Sequence, residues 1–340
     1  MKKYTILKII ALAALVSEAY AGVYVPEGSW NRVRLYGHAG NRAGFTNQDY
    51  VDIRNNFSLF TIEKSHAHQI YGLGTSEQTT RIASDEMNRR RAAVRTLFYW
   101  NADVAWTDFY VNLTQTLQSQ PSWYNKTSIS PSDYVLTFPN TASENNWVNV
   151  AASQVNNSQS EGVFIDAVGR AENAGHLSIV ERMMDRLPGL VIYNGYYVTP
   201  NNTVLAGART LNHADGVFVE FFCTSFVDTT PLLRTQLNEL LKIPATKYII
   251  CRSAPDSTFG NTHDFSLAAY LIVANSRSFY TFSDDYMDAY PEVYDHIDFR
   301  RRLGPPNGPA TVIGNDYIRS FRYADVNLNI ATKRSNIVWK

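Results

Sequence analysis

The sequence predicts an α/β fold, a (β/α)8 TIM barrel with a short C-terminal β appendage. Eight short runs rich in β-branched and aromatic residues alternate with longer segments of helical periodicity, which is the order of βα units on a parallel sheet. Three consecutive runs begin at Val163, Leu190 and Val217, a constant step of 27 residues. Eight such units favour a closed barrel. An open doubly wound sheet is the alternative, but the segment from Gly37 to Gly44 matches its glycine-rich phosphate turn poorly.

The individual elements follow from local pattern and capping residues. Pro231 suits a first helical turn that follows Thr229 or Thr230, and Asp264 suits the N-cap of the last helix. The predicted strands are Val33–Tyr36, Ser58–Ile62, Thr96–Trp100, Val163–Asp166, Leu190–Asn194, Val217–Glu220, Tyr248–Cys251 and Ser278–Phe282. The predicted helices are Glu77–Arg91, Leu177–Arg186, Pro231–Leu241 and Phe265–Ala274.

An insertion at residues 101–160 makes the interval between the third and fourth strands about twice the usual one. It carries Trp106, Trp123 and Trp147 among many Asn, Ser and Thr residues. In a barrel it follows the carboxyl end of the third strand, on the face where active sites form. Two interpretations stay open: a lid or wall of a substrate cleft, or a loop with a small aromatic core of its own.

The C-terminal tail departs from the βα pattern. Gly304-Pro305-Pro306 breaks the chain, and Tyr317–Tyr323 and Asp325–Thr332 then predict a pair of strands. We therefore expect a signal peptide at 1–21, a barrel at 22–303 that carries the insertion, and a β segment at 304–340. The last segment is too small to have its own core and should pack on the barrel.

Composition excludes some partners. Lys and Arg number 31, as do Asp and Glu, and the pI is near 7.1. The chain thus lacks the basic field that attracts a phosphate backbone, and we expect no nucleic-acid partner. Aromatic residues make up 13% of the chain. Aromatic rings fill cores and also stack on sugars, so this number alone does not separate the two uses.

The N-terminus has the pattern of an export signal. Three lysines flank or precede the apolar run from 9 to 16, and Ala19-Tyr20-Ala21 fits an A-x-A cleavage site. We expect cleavage after Ala21 and a secreted or periplasmic protein. The run is too short to cross a bilayer and no later segment approaches about 20 apolar residues, so we expect no membrane span. Export would permit a disulfide between Cys223 and Cys251; two buried thiols are the alternative.

The most informative motif is an internal echo. Residues 162–166 read Gly-Val-Phe-Ile-Asp, and residues 216–220 read Gly-Val-Phe-Val-Glu. Each run ends an apolar strand with an acid, Asp166 in strand four and Glu220 in strand six. Alternate strands of a barrel contribute side chains to the same interior layer. The sequence therefore predicts that the two carboxylates face one another at the carboxyl end of the barrel.

Two facing carboxylates suit glycosidic cleavage, in which one carboxyl protonates the leaving oxygen and the other acts as nucleophile or as base toward water. A structural alternative is that each acid caps the next helix or pairs with a nearby arginine such as Arg170. Two matched acids on alternate strands favour the catalytic interpretation.

Further candidates come from the other strand ends, where a side chain either binds substrate or has a structural role. They are predicted to contact substrate, and they comprise Glu63, Trp100, Asn101, Asn194, Tyr196, Arg252 and Asp285. Asn194 lies between the two acids in barrel order and could orient a carboxylate. Arg252 ends strand seven beside Glu220 and could bind an acidic group or form an ion pair.

Other chemistries fit less well. His66-Ala67-His68 has the H-x-H spacing of metal-dependent amidohydrolases, but strands four to six end in Asp, Asn and Glu without the further histidine ligands that such a site needs. No G-x-S-x-G elbow is present and neither cysteine has a positioned histidine. We expect neither a metal nor an organic cofactor.

At these residues the sequence resembles the glycosyl-hydrolase-like family 15 group of TIM-barrel proteins, and more distantly glycoside hydrolase family 114, the endo-α-1,4-polygalactosaminidases. The likeness lies in the runs at 162–168, 190–195 and 216–222 and in a tail with Leu-Gly-Pro-Pro and Arg319-Ser320-Phe321. It covers most of residues 30–335 and implies Asp166 as nucleophile or base and Glu220 as general acid. The insertion and the first strand depart from the family, so the substrate is not carried over.

These observations together predict an exported glycoside hydrolase that acts on a polysaccharide or oligosaccharide. Two alternatives remain, a non-catalytic glycan-binding barrel and a polysaccharide lyase in which Arg252 neutralises a uronate.

Overall fold

The computed structural model describes residues 24–89, 94–126, 134–156, 160–201, 203–205, 207, 209–255, 262–283, 286 and 295–340. The predicted signal peptide lies outside these residues. No helix in the described part of the chain is both long enough and apolar enough to cross a bilayer.

Eight parallel strands form a closed barrel in sequential order, with the first strand paired to both the second and the eighth. The predicted (β/α)8 barrel is therefore confirmed. The strands are β1 (Leu35–Ala39), β2 (Phe57–Ile62), β3 (Arg95–Asn101), β4 (Gly162–Asp166), β5 (Leu190–Asn194), β6 (Gly216–Val219), β7 (Tyr248–Ser253) and β8 (Ser278–Phe282).

Strand β1 lies further along the chain than the predicted Val33–Tyr36. Gly37 pairs with Phe60 and His38 with Thr61, so the strand continues to Ala39. Because glycine is disfavoured in strands, the sequence pattern predicted that the strand ends before Gly37. Here it is required, because a Cβ on Gly37 would lie 2.1 Å from the Phe60 ring. The correction matters because it places His38 on the barrel wall.

The described helices are α1 (Asn47–Asn56), α2 (His68–Tyr71), α3 (Ser76–Arg89), α4 (Val111–Ser119), α5 (Thr141–Asn156), α6 (Val168–Asn173), α7 (Leu177–Met184), α8 (Thr230–Leu241) and α9 (Thr262–Val273). All four predicted helices are present. Thr229 caps α8 as predicted, accepting a hydrogen bond from the Leu232 N–H at 3.4 Å. Asp264, the predicted N-cap of α9, lies inside its first turn instead, where the helix dipole also favours an acid.

The connection between β5 and β6 departs from the βα pattern. Its described residues form a short hairpin, Tyr197–Val198 with Val204–Leu205, and a 3-10 turn at Thr210–His213, without an α-helix. This hairpin follows the carboxyl end of β5 and therefore stands beside the mouth of the barrel.

The insertion between β3 and β4 has features of both interpretations left open by the sequence, an aromatic core of its own and a wall beside the barrel mouth. Helices α4 and α5 accompany a 3-10 turn and a three-stranded antiparallel sheet of Val104–Ala105, Tyr124–Lys126 and Tyr134–Leu136. Trp147 in α5 is buried against Trp100 with ring centroids 6.2 Å apart, which makes an aromatic core. Trp106 instead reaches the mouth of the barrel.

The C-terminal tail forms a four-stranded antiparallel sheet of β9 (Thr311–Ile313), β10 (Asp316–Ser320), β11 (Ala324–Asn329) and β12 (Arg334–Trp339). The predicted pair corresponds to β10 and β11; the outer strands were not predicted. The sheet packs on α9. Arg319 fixes this contact, because its Nη1 donates to the carbonyls of Leu271, Ile272 and Ala274 at 2.9, 3.0 and 2.6 Å.

The barrel interior is filled by aromatic rings. Phe164 of β4 lies 5.2 Å from Phe218 of β6 and 5.9 Å from Tyr99 of β3, measured between ring centroids. This packed layer leaves no open pore, so the chemistry is confined to side chains above it at the carboxyl ends of the strands.

Candidate active site

A cavity of about 120 Å³ opens at the carboxyl ends of the barrel strands. Its floor is the aromatic layer of Phe164 and Phe218, and its walls are polar. The lining residues are His38, Glu63, Lys64, Tyr99, Trp106, Phe164, Asp166, Asn194, Phe218, Glu220 and Tyr286. The cavity thus brings together both acids of the sequence echo and a third acid, Glu63.

Asp166 ends β4 and accepts hydrogen bonds on both carboxylate oxygens. Oδ1 accepts from the Asn194 side chain at 2.8 Å and from the Ala167 N–H at 2.7 Å. Oδ2 accepts from the Tyr99 hydroxyl and from the Asn101 side chain at 3.3 Å. Four donors favour the charged form of a carboxylate. The alternative partner considered from sequence, Arg170, pairs instead with Asp103 at 3.2 Å.

Glu220 follows the last residue of β6 and is held by fewer donors. Its Oε2 accepts from the Asn194 side chain at 2.8 Å and from the Tyr197 hydroxyl at 3.4 Å. Its Oε1 accepts from the Tyr286 hydroxyl at 3.0 Å. Burial, and then the nearby Glu220 charge, raise the pKa of Tyr286 far above its usual value, so this phenol remains a hydrogen-bond donor.

Asn194 at the end of β5 joins the two acids. Its Nδ2 donates to Asp166 and to Glu220 over 2.8 Å each. Two oxygens at that distance from one nitrogen can lie no further apart than twice 2.8 Å. The facing arrangement predicted from the echo is therefore present, with an amide between the carboxylates.

Glu63 follows β2 and is paired on both oxygens. Oε2 lies 2.9 Å from His38 Nε2, and Oε1 forms an ion pair with Lys64. Burial by itself would raise the pKa of Glu63, but Lys64 and His38 outweigh it and lower that pKa to about 2. Glu63 therefore lines the cavity as a carboxylate that is charged at neutral pH and already paired.

This pairing makes a testable contribution to acid stability. A carboxyl whose pKa is 4.5 when unpaired and about 2 when folded stabilises the protein above pH 4.5 and loses that contribution as the pH falls toward 2. The loss should be on the order of 3 kcal/mol. Urea denaturation between pH 5 and pH 2 should give a shallower pH dependence of the unfolding free energy for Glu63→Gln than for the wild type. Parallel curves would contradict the assignment.

Lys64 is enclosed by aromatic rings. Its Nζ lies 4.5 Å from the ring centroids of both Tyr99 and Trp106, a cation–π geometry. Trp106 comes from the insertion, which therefore supplies part of the cavity wall. Its buried indole N–H has no hydrogen-bond partner within the described residues.

Several predicted substrate contacts have other positions. Trp100 is 1% exposed and faces outward, 4.8 Å from the Tyr110 ring. Asn101 faces inward but binds Asp166 and the backbone N–H groups of Asp103 and Val104. Adjacent strand residues point to opposite faces, so Trp100 and Asn101 cannot both line the cavity. The structure corrects the placement of Trp100 for that reason.

Of the other three predicted substrate contacts, Tyr196 and Arg252 do not line the cavity between the acids. Tyr196 is buried and lines a neighbouring cavity rather than the one between the acids. Arg252 forms no ion pair with Glu220; its guanidinium lies 4.7 Å from the ring centroid of Tyr286, which in turn donates to Glu220. Asp285 lies outside the described residues.

The sequence argument did not single out several residues of this site. The cavity is also lined by His38, Lys64, Tyr99, Trp106 and Tyr286, and the Tyr197 hydroxyl binds Glu220 from outside the lining. One signal was present for Tyr99, since it stands two residues before Asn101 on the same strand face. His38 was missed because strand one was predicted to end before it. No local pattern marks Tyr286.

The H-x-H motif and the ligand-type cluster of the described residues lie apart. His66 is buried, and burial together with His68 lowers its pKa to about 4. Among the described residues a single group of three has ligand atoms within 4.8 Å of one another: His263, Asp264 and His296. It includes neither the histidines of the H-x-H motif nor the two strand-end acids. The two cysteines, both buried, are free thiols rather than a disulfide.

The comparisons with known proteins agree with the fold and the predicted resemblance. A sequence model of the family described as hypothetical glycosyl hydrolase family 15 matches residues 89–325, which include Asp166, Asn194 and Glu220. No curated protein matches the sequence.

Solved structures with the same fold are remote in sequence. The maltogenic α-amylase AmyB from Thermotoga neapolitana aligns with a TM-score of 0.53 at 10% identity over 88% of this chain and 85% of its own. An α-amylase from Malbranchea cinnamomea gives 0.52 at 10% identity over 89% and 85%. The cyclic α-maltosyl-(1→6)-maltose hydrolase from Arthrobacter globiformis gives 0.50 at 12% identity over 93% of each chain.

Proposed function

This chain belongs to hypothetical glycosyl hydrolase family 15, and on that premise we propose that it hydrolyses glycosidic bonds in a polysaccharide or oligosaccharide with Asp166 and Glu220 as the catalytic pair. The observation that carries the proposal is the Asn194 side chain, whose single nitrogen donates to both carboxylates at 2.8 Å. The mechanism itself requires neither a metal nor an organic cofactor.

The hydrogen bonds support a division of roles. Four donors, one of them a backbone N–H, fix the position of the Asp166 carboxyl group, which suits a nucleophile. Glu220 is held by three side-chain donors and by no backbone N–H, and we assign it the role of the general acid that protonates the leaving oxygen. Glycoside hydrolases use one charged and one protonated carboxyl in this way.

The separation of the carboxyl groups favours retention of configuration. Retaining enzymes keep the two groups about 5–5.5 Å apart, whereas inverting enzymes need roughly 6.5–9.5 Å to admit a water. The nearest oxygens of Asp166 and Glu220 lie within twice 2.8 Å of each other. We therefore assign Asp166 the nucleophile's role, with a covalent glycosyl intermediate on its carboxylate.

The test is product release from a panel of purified polysaccharides that includes α-glucans, followed by proton NMR of the newly formed anomer. We expect reducing ends and a first-formed anomer of the same configuration as the bond cleaved. The opposite anomer would refute the nucleophile, and an ultraviolet-absorbing unsaturated product would identify a lyase. Glycan binding without any cleavage would identify the non-catalytic alternative.

We also propose that the protein acts outside the cytoplasm, on the basis of the lysine-flanked apolar run and the Ala19-Tyr20-Ala21 site. Expression with the native N-terminus followed by N-terminal sequencing of the exported protein should begin at Gly22.

A further inference from the structure

A row of three aromatic rings leads away from Glu220, and we call Tyr197, Phe221 and Phe226 the aromatic shelf. The ring centroids of Tyr197 and Phe221 lie 5.5 Å apart, and those of Phe221 and Phe226 lie 4.4 Å apart. Phe226, at the outer end, is 67% exposed. The shelf thus runs from the candidate catalytic pair to solvent.

The shelf is joined to the candidate active site by Tyr197. The Tyr197 hydroxyl donates to Glu220 Oε2 over 3.4 Å and to Asn194 Oδ1 over 3.3 Å, while its ring lines a second cavity. That cavity measures about 290 Å³, against about 120 Å³ for the one between the acids. The shelf rings form its apolar surface together with Tyr196, Val198 and Pro200.

The shelf is held in place from beneath. Gln236 of α8 accepts a hydrogen bond from the Cys223 N–H at 3.1 Å and donates to the Phe221 carbonyl at 3.1 Å. It is 1% exposed. A buried amide thus fixes the backbone on both sides of Phe222, and less of the backbone that carries Phe221 has to be ordered when a ligand binds.

An exposed aromatic surface next to a candidate active site is a candidate binding surface for a ligand. Exposed aromatic groups rimmed by polar residues mark binding grooves. The faces of a pyranose ring carry C–H groups, and their partially positive hydrogens are attracted to the negative faces of aromatic rings. A glycan chain that leaves the cavity on the Glu220 side meets Tyr197 first and Phe226 last.

We propose that the aromatic shelf is a binding site for the leaving-group side of a glycan chain. The assignment rests on the proposed function, because the general acid Glu220 defines the side on which the leaving oxygen lies. It follows that the substrate is a chain with sugars on both sides of the cleaved bond. In a retaining enzyme the same shelf would hold the sugar that accepts the glycosyl group from Asp166. The acceptor oxygen forms a bond to the glycosyl carbon and loses its proton to Glu220, while the ester bond to Asp166 breaks.

The test compares wild type with Phe226→Ala and, as a matched control, Ile313→Ala. Ile313 is 62% exposed on the C-terminal sheet, so both changes remove an exposed apolar side chain without touching the core. Affinity electrophoresis through gels that contain each polysaccharide of the panel measures binding without requiring cleavage. We expect retardation of the wild type and the control and its loss in Phe226→Ala.

Kinetics give the second arm. The value of kcat/KM on the polysaccharide that the wild type cleaves should fall roughly tenfold in Phe226→Ala. Hydrolysis of an aryl glycoside, whose small leaving group does not reach Phe226, should be unchanged. Equal migration of all three proteins on every gel, or a change in oligomeric state specific to Phe226→Ala, would overturn the inference.

The arms separate this inference from the proposed function. Shelf-dependent retardation without any cleavage would leave a glycan-binding surface and refute the hydrolase and the leaving-group assignment. Cleavage that is insensitive to Phe226 would leave the hydrolase and refute the shelf.

Discussion

Asp166→Asn should abolish hydrolysis, with kcat reduced on the order of 10⁴-fold, because the variant keeps the size of the side chain but lacks the nucleophile. Glu161→Gln is the matched control. Glu161 is a partly buried acid that precedes the same strand, and it accepts from the Thr96 N–H at 2.6 Å at the opposite end of the barrel. Initial rates of reducing-end release should be lost in the first variant and kept in the second.

Chemical rescue separates the two acids. Azide should restore activity to Asp166→Ala and give a glycosyl azide of inverted configuration, since it attacks in place of the carboxylate. Azide should restore Glu220→Ala with retained configuration, because there it replaces the base-activated water. If both variants gave the same azide anomer, or if Asp166→Asn retained wild-type rates, the assignment of roles would fail.

Asn194→Ala should have the second largest effect, a loss on the order of 10²-fold in kcat. The substitution removes the donor shared by Asp166 and Glu220 and leaves two carboxylates facing each other without it. Without that donor no group in the described part of the chain fixes the orientation of one carboxylate relative to the other, and misoriented groups lose rate. Initial rates of reducing-end release measure the loss.

Tyr286→Phe is the comparison for that loss. It removes the 3.0 Å hydrogen bond to Glu220 and leaves every hydrogen bond of Asp166 in place. We expect a smaller loss of kcat than in Asn194→Ala, because only one of the two acids loses a partner. Equal losses in the two variants, or wild-type rates in Asn194→Ala, would show that Asn194 does not couple the two acids.

The strand pattern was enough to predict that Asp166 and Glu220 face each other, but not what surrounds them. Asp166 and Glu220 stand out because each ends an apolar run of the same form, and alternate strands of a barrel present such positions to one layer. The prediction for Trp100 was wrong because it considered only that Trp100 lies near the end of a strand. It did not consider which face of the strand the side chain is on. The alternation of faces, which puts Tyr99 and Asn101 inside, already excludes Trp100 from the cavity.

The sequence by itself determined the number and order of the barrel strands, the two strand-end acids and the position of Asn194 between them. Each of these depends on apolar periodicity within a few residues. The tertiary structure alone decided that Asn194 donates to both acids, that Tyr99 and Tyr286 complete their hydrogen bonds, and that Lys64 and His38 pair with Glu63. Most of these contacts join residues from different strands and loops, tens of positions apart, and which side chains meet depends on the register and closure of the barrel, which no local pattern encodes.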